Sequence, residues 1–283
     1  MQAIRRGLAP EREASILQVF LQASGYPVNP DGRFGGSTDT ALRAFQLDHG
    51  LIVDGTAGEK TWTKLFSLHP DLLTRLSAKW LSQQDIDDFA ARRSLEVPAV
   101  RAVYGVESGG VGFIGLLPKI LFEGHVFWRQ LQEAGLDPEH FVEGNADILF
   151  VSWRPGSYAG GLAEHDRLER AGKIHRVSAL RSASWGLFQV LGYNAETLGF
   201  ADVEAFVSAM SRSEADQLDT FGRFIAGSRY RGKSLLDWLR AKNWTAFAAG
   251  YNGPGYARNR YDRKLAAAYA KYAAARGKPR RST

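Results

Sequence analysis

The chain has no cysteine in its 283 residues, so no disulfide framework can hold it and no thiolate can serve as its nucleophile. No run of 18 apolar residues occurs, which excludes a membrane-spanning helix. Near the N-terminus Arg5 and Arg6 are followed by an apolar stretch that Glu11, Arg12 and Glu13 interrupt, so no secretory signal is read and cytoplasmic synthesis is expected. No Gly-x-Ser-x-Gly elbow is present to carry an activated serine. The histidines (His49, His69, His125, His140, His165 and His175) show neither an i, i+4 pair nor the carboxylate spacing of a zinc site. Neither a metal nor any other cofactor is therefore expected.

What is present describes a globular protein. The 45% hydrophobic and 12% aromatic content can bury a real core, and the length allows two ordinary domains. The 30 glycines fall in clusters, as turns and close backbone approaches require. The net charge of +6 is uneven: from Arg258 to Thr283 nine Lys/Arg face one acid, Asp262, leaving about −2 for the rest. Such a basic end suits an anionic partner or is simply a solvated helix end. No nucleic-acid-binding motif accompanies it.

An internal repeat organises the front of the chain. Asp31-Gly32, Gly35, Thr38 and Leu42 recur as Asp54-Gly55, Gly58, Thr61 and Leu65, all displaced by 23 residues. Asp-Gly predicts a turn in each copy, and Thr38 and Thr61 are expected to cap the helix that follows. A leading helix over Glu13 to Ala23 completes a small three-helix domain, since units this short bury their apolar faces only against one another. A calcium loop at Asn29-Pro30-Asp31-Gly32 lacks the spaced acidic ligands. From Ile16 to Leu65 the chain resembles the peptidoglycan-binding domain carried by many cell-wall hydrolases. That resemblance implies a shallow groove for wall peptide or glycan, and Phe45, Gln46 and Trp62 are either core or groove residues, with core favoured for Phe45. This domain is assigned 1–70, with a linker at 71–80 after the break at Pro70.

The second domain, 81–275, holds the candidate chemistry. Pro98 starts a helix in which Val100, Val103, Tyr104 and Glu107 share one face, and Gly109-Gly110 stop it. Glu107 would thus sit on an apolar face at the negative end of a helix, and both features favour a protonated carboxyl able to donate to a glycosidic oxygen. The plain alternative is a solvated glutamate at a frayed end. Two later stretches follow: Ser182-Ala-Ser184-Trp-Gly186-Leu-Phe-Gln189 and Gly250-Tyr251-Asn252-Gly253-Pro254-Gly255, the latter expected to expose its Tyr-Asn pair in a turn between helices.

Their order after Glu107 resembles the three-motif arrangement of goose-type lysozymes and lytic transglycosylases. From Leu81 to Tyr272 the closer resemblance is to the N-acetylmuramidase domain of modular phage endolysins. It implies Glu107 as the general acid, Gln189 and Tyr251 in the sugar cleft with Tyr251 orienting the acid, Asn252 shaping the third motif, and Ser184 and Gly186 in the substrate-binding stretch. Glu123, alone at the end of an apolar run, is the first choice for a second carboxylate. It could instead pair with Arg129 or Arg101, and Asp147 and Asp166 are outside candidates. Gly124 departs from the basic residue expected after that glutamate.

The expected protein is mainly α: a three-helix peptidoglycan-binding domain followed by a lysozyme-like helical domain. Its partner would be bacterial peptidoglycan, bound by a monomer and cleaved between N-acetylmuramic acid and N-acetylglucosamine. A lytic transglycosylase, or a phage structural protein that binds the wall without cleaving it, are the rival readings. A closing helix over Tyr256 to Ala275 should dock through Leu265, Ala268, Tyr269 and Tyr272, leaving 276–283 as a basic tail for contact with an anionic wall or outer membrane.

Overall fold

The computed structural model describes residues 1–107 and 111–276, and their side chains apart from those of Glu107, Pro254 and Arg276. The expected helix stop at Gly109-Gly110 and nearly all of the basic tail lie outside the described residues.

The N-terminal domain contains β1 (Ile4–Arg5), α1 (Glu11–Ala23), α2 (Gly36–Asp48), β2 (Thr56–Ala57), α3 (Glu59–Leu68) and α4 (Pro70–Ser77). β1 pairs antiparallel with β2, Ile4 opposite Ala57, so the chain start is stitched to the second repeat. Leu17, Phe20, Leu42, Phe45, Trp62 and Leu65 fill the core, which settles Phe45 and Trp62 as packing residues.

Each copy of the repeat is held by a glutamine from the helix that precedes its loop. Gln18 Nε2 donates to Asp31 Oδ1 at 2.8 Å and Thr38 Oγ1 at 2.9 Å, while its Oε1 accepts from Gly32 N at 2.8 Å. Gln46 repeats the pattern with Asp54 Oδ1 at 3.1 Å, Thr61 Oγ1 at 3.4 Å and Gly55 N at 3.0 Å. Gly32 and Gly55 take φ of +76° and +68°, a conformation that costs an L side chain but not glycine. Thr38 and Thr61 are not the helix caps expected. Gly35 and Gly58 hold those positions, and the threonine hydroxyls turn inward to the glutamines.

The segment expected as a linker is largely helical. Pro70 occupies the first turn of α4, where a missing N–H costs nothing, and Leu76 is buried in the N-terminal core. The larger domain follows with α5 (Gln83–Arg93), α6 (Val97–Glu107), β3 (Phe113–Ile114), β4 (Leu117–Pro118), β5 (Ile120–Phe122), α7 (Gly124–Glu133), α8 (Ala163–Arg181), β6 (Ala183–Trp185), β7 (Val190–Leu191), α9 (Val203–Arg212), α10 (Glu214–Gly227), β8 (Arg229–Tyr230), β9 (Lys233–Ser234), α11 (Leu235–Arg240), α12 (Trp244–Asn252) and α13 (Tyr261–Arg276). Ser82 caps α5 in a capping box with Asp85. β5, β6 and β7 form an antiparallel sheet, with Phe122 opposite Ala183 and Trp185 opposite Val190. α13 starts later than expected but packs on α6, with Leu265 fully buried. None of the described helices is long and apolar enough to cross a membrane.

The two domains meet across a charged seam. Glu214, 1% exposed, accepts from Arg12 of α1, from Leu81 N at 2.8 Å and from Gly112 N at 3.1 Å. Around it Lys119 pairs with Glu11 at 2.9 Å, and Gly115 N donates to Ser15 Oγ at 3.1 Å. Burial lowers and Glu214 raises the Arg12 guanidinium, with a net upward displacement.

Removing one partner of a buried ion pair strands the other, so Glu214→Ala should cost about 3 kcal/mol or more. The half-exposed Lys119–Glu11 pair should matter far less, with Glu11→Ala costing about 1 kcal/mol at most. Calorimetric unfolding of the full chain checks both. Equal, small effects would show that the seam does not depend on Glu214.

Candidate active site

α6 delivers Glu107 as its last residue, with Val100 and Val103 of the same face buried in the core. The Glu107 side chain is outside the described atoms. At Gly112 a residue that the sequence motifs do not include takes hold. Gln217 of α10 is fully buried. Its Nε2 donates to Gly112 O at 3.2 Å and Met210 O at 2.8 Å, and its Oε1 accepts from Leu187 N at 2.9 Å. One amide thus ties the segment after α6 to the turn between β6 and β7. Gly186 lies against the same amide, and a Cβ there would come within 2.5 Å of Gln217 Cδ.

That turn carries Gln189 in a left-handed conformation, φ +49°, unusual for a residue with a side chain and typical of positions constrained by their surroundings. Ser184 Oγ donates to Gln189 Oε1 at 2.8 Å, and Gln189 Nε2 donates to Gly186 O at 2.8 Å. Ser184 and Gly186 are themselves buried and act on the cleft through Gln189. Tyr251 Oη donates to Phe188 O at 2.8 Å, its ring stacked on Phe247 and edge-on to Phe221. Tyr251 and Asn252 are the last two residues of α12, half-buried, and not a turn-borne exposed pair as the glycine-rich sequence suggested. Gln189, Tyr251, Asn252 and Tyr261 together line a cleft of about 380 Å³.

Glu123 lies at the other end of the three-stranded sheet. Its backbone N–H donates to Ser182 O at 3.0 Å, and it stands at the N-cap of α7. Tyr158 Oη donates to Glu123 Oε2 at 2.8 Å, and the exposed Trp153 donates its indole N–H to Tyr158 Oη at 3.1 Å. Neither Arg101 nor Arg129 pairs with Glu123 among the described residues; His125 Nδ1 is 3.5 Å from its Oε2. Burial pushes the Glu123 carboxyl above the usual carboxylate range, the Tyr158 hydrogen bond pulls it down, and nearby Glu164 pushes it up again. Tyr158 in turn is pushed up to about 12 by burial and by its bond to Glu123. Burial, followed by Arg129, lowers His125. A side chain at position 124 has no room: a Cβ would meet Phe150 at 2.4 Å and Ile148 O at 2.8 Å, so glycine here reflects close packing.

The loop bearing Trp153 and Tyr158 is anchored by a second buried charge pair that the sequence reading did not single out. Glu164, 0% exposed, accepts from Arg167 at 2.7 Å, Phe122 N at 3.0 Å and Gly160 N at 2.8 Å. Arg167 also donates to Phe122 O at 3.1 Å and Asp147 O at 2.7 Å. The i, i+3 spacing of Glu164 and Arg167 at the start of a helix was the available signal. Of the outside candidates, Asp147 pairs with Arg170 at 2.7 Å, which holds it below the usual range, and Asp166 is exposed on α8. No group of three or more His, Asp or Glu able to hold a metal occurs among the described residues.

Residues 96–273 match the N-acetylmuramidase family and residues 11–65 a peptidoglycan binding domain. The crystal structure of a Burkholderia AP3 phage endolysin is similar at 39% identity and a TM-score of 0.65, covering 96% of this chain and 99% of that one. The zinc D-Ala-D-Ala carboxypeptidase of Streptomyces albus G is 36% identical over 62 residues, 20% of this chain, and the match spans 24% of that relative's length. With a mainly helical larger domain behind a peptidoglycan-binding module, the chain belongs to the N-acetylmuramidase family and is a lysozyme-type peptidoglycan hydrolase of modular endolysin build.

Proposed function

We propose that the protein hydrolyses the β-1,4 bond between N-acetylmuramic acid and N-acetylglucosamine, with Glu107 as the general acid and Glu123 as the second carboxylate. The observation that carries this reading is the Gln217 clamp, which draws the segment just past Glu107 against the turn that bears Gln189. Tyr251 bonds to the same turn, which supports a shared site for the three motifs although they are far apart in sequence. The negative end of a helix dipole favours the protonated form of an acid, which can then donate to the leaving oxygen. Glu123, shielded but hydrogen-bonded by Tyr158, supplies the base or nucleophile that hydrolysis needs.

The alternative within the same family of reactions is a lytic transglycosylase, which needs only one carboxylate and ends in an anhydro-sugar. The defined environment of Glu123 favours hydrolysis. The N-terminal domain raises the local concentration of an insoluble substrate by holding the enzyme on it. The basic end of the chain adds attraction to an anionic wall or outer membrane, weakening as salt rises.

Glu107→Gln keeps the shape and removes the transferable proton, so turnover should fall at least a thousandfold, on the order of 4 kcal/mol in the barrier, with wall binding retained. Mass spectrometry of digested peptidoglycan should find reducing muramic-acid ends from the wild type. Anhydro ends would replace this reading with transglycosylation, and a folded variant near wild-type activity would remove Glu107 from the mechanism.

Glu123 must be ionised to act, and Tyr158 bonds to its charged form. Tyr158→Phe removes a downward influence on an already raised carboxyl, so the acidic limb of the kcat/KM profile should move to higher pH. A limb that stays in place while the variant folds normally would show that Glu123 does not titrate in the reaction.

A further inference from the structure

A cleft of about 490 Å³ lies in the seam between the domains and is separate from the Gln189–Tyr251 cleft. One wall is the first repeat loop of the N-terminal domain, including Asp31 and Arg33; the other is the edge of β5 with Lys119 and Leu121, closed by Gly160-Gly161. These two catalytic-domain segments are the ones that frame Glu123. Along β5, Ile120 and Phe122 turn into the core, whereas Lys119, Leu121 and Glu123 alternate on the accessible side. Gly160 follows Tyr158 by two residues, and Tyr158 holds Glu123. The catalytic-domain wall of the cleft is therefore built from the same strand as Glu123 and the same loop as Tyr158.

The chemistry of its lining selects a ligand. Phe34, its one aromatic residue, is 8% exposed, so no ring face is offered to a sugar. Arg33 is exposed and forms no ion pair among the described residues, and its Nη2 lies 3.7 Å from where a Cβ of Gly160 would stand. Beside it the Lys119–Glu11 pair offers both a donor and an acceptor. A free guanidinium at a narrow seam suits a carboxylate, which it can engage with two parallel hydrogen bonds. The two walls meet at one end: a Cβ at Gly161 would sit 3.3 Å from Asp31 Cβ.

We propose that this interdomain cleft binds the stem peptide of the peptidoglycan strand being cleaved, with Arg33 receiving a peptide carboxylate. The proposal rests on the hydrolase reading above and adds a site shared by both domains. The dimensions agree: from Lys119 to Glu123 a strand covers about 13 Å, and an extended peptide of about four residues spans the same length. A peptide hanging from a muramic acid held near Glu123 would run along this strand edge toward the cleft that Lys119 and Arg33 line.

Two measurements on the full chain test this. In the first, Arg33→Ala is assayed on intact sacculi and on glycan strands stripped of their peptides. A loss of about tenfold in kcat/KM is expected on sacculi, the worth of one charged hydrogen bond, shrinking to less than about twofold on stripped strands. An equal loss on both, or no loss on sacculi, overturns the proposal. In the second, a free stem tetrapeptide is titrated while amide shifts are recorded. Shifts at Gly32, Gly160 and Gly161 that vanish in Arg33→Ala support the cleft; shifts elsewhere only, or none, overturn it. Because the titration needs no turnover, a wild type inactive on both substrates would sink the hydrolase reading and leave the binding result to decide the cleft.

Discussion

A carboxylate withdrawn from water has to be matched by donors, and Glu214 meets that constraint by binding three parts of the chain at once. Arg12 comes from the wall-binding domain, Leu81 N from the junction between domains, and Gly112 N from the segment just beyond Glu107. One buried charge therefore sets the seating of one domain on the other and the path of the backbone that leaves α6. Gln217, one turn further along α10, continues the same task with a neutral amide. The candidate site is consequently braced by α10, a helix that the sequence motifs do not include.

Much of the architecture was legible from the residues. The 23-residue offset pointed to the repeat, and the helices expected over Glu13 to Ala23, after Thr38 and from Pro98 occur within a few residues as α1, α2 and α6. What was missed shares a physical cause. Thr38 and Thr61 look like caps because threonine at a helix start commonly is one; only the fold reveals glutamines from the preceding helices waiting for their hydroxyls. Pro70 reads as a break, yet at a first helical turn it is harmless, and the register of Leu76 against the core then decides for helix. Tyr251-Asn252 looked like a loop because glycines flank it, but α12 is carried through by core packing of Phe247 and Tyr251.

The candidate site divides along the same line. Gln189, Tyr251 and Asn252 could be placed together because each sits in a distinctive local motif. The partners of Glu123 could not. Tyr158 is 35 residues away in a glycine-rich stretch with no periodicity, and its position depends on the Glu164–Arg167 pair beneath it. Buried charge pairs leave only a faint trace in a single sequence, since the same residues at the same spacing are usually found on a solvated helix face.

The docking of α1 against the larger domain also alters what attachment to the wall means for this enzyme. A module on a long flexible leash lets its partner cut anywhere within a sphere of reach. Here Arg12, Ser15 and Glu11 are bonded directly across the seam, and the connecting segment is itself helical. The separation between the peptidoglycan-binding module and the candidate site is then set by side chains that meet across the seam, and not by the length of a linker.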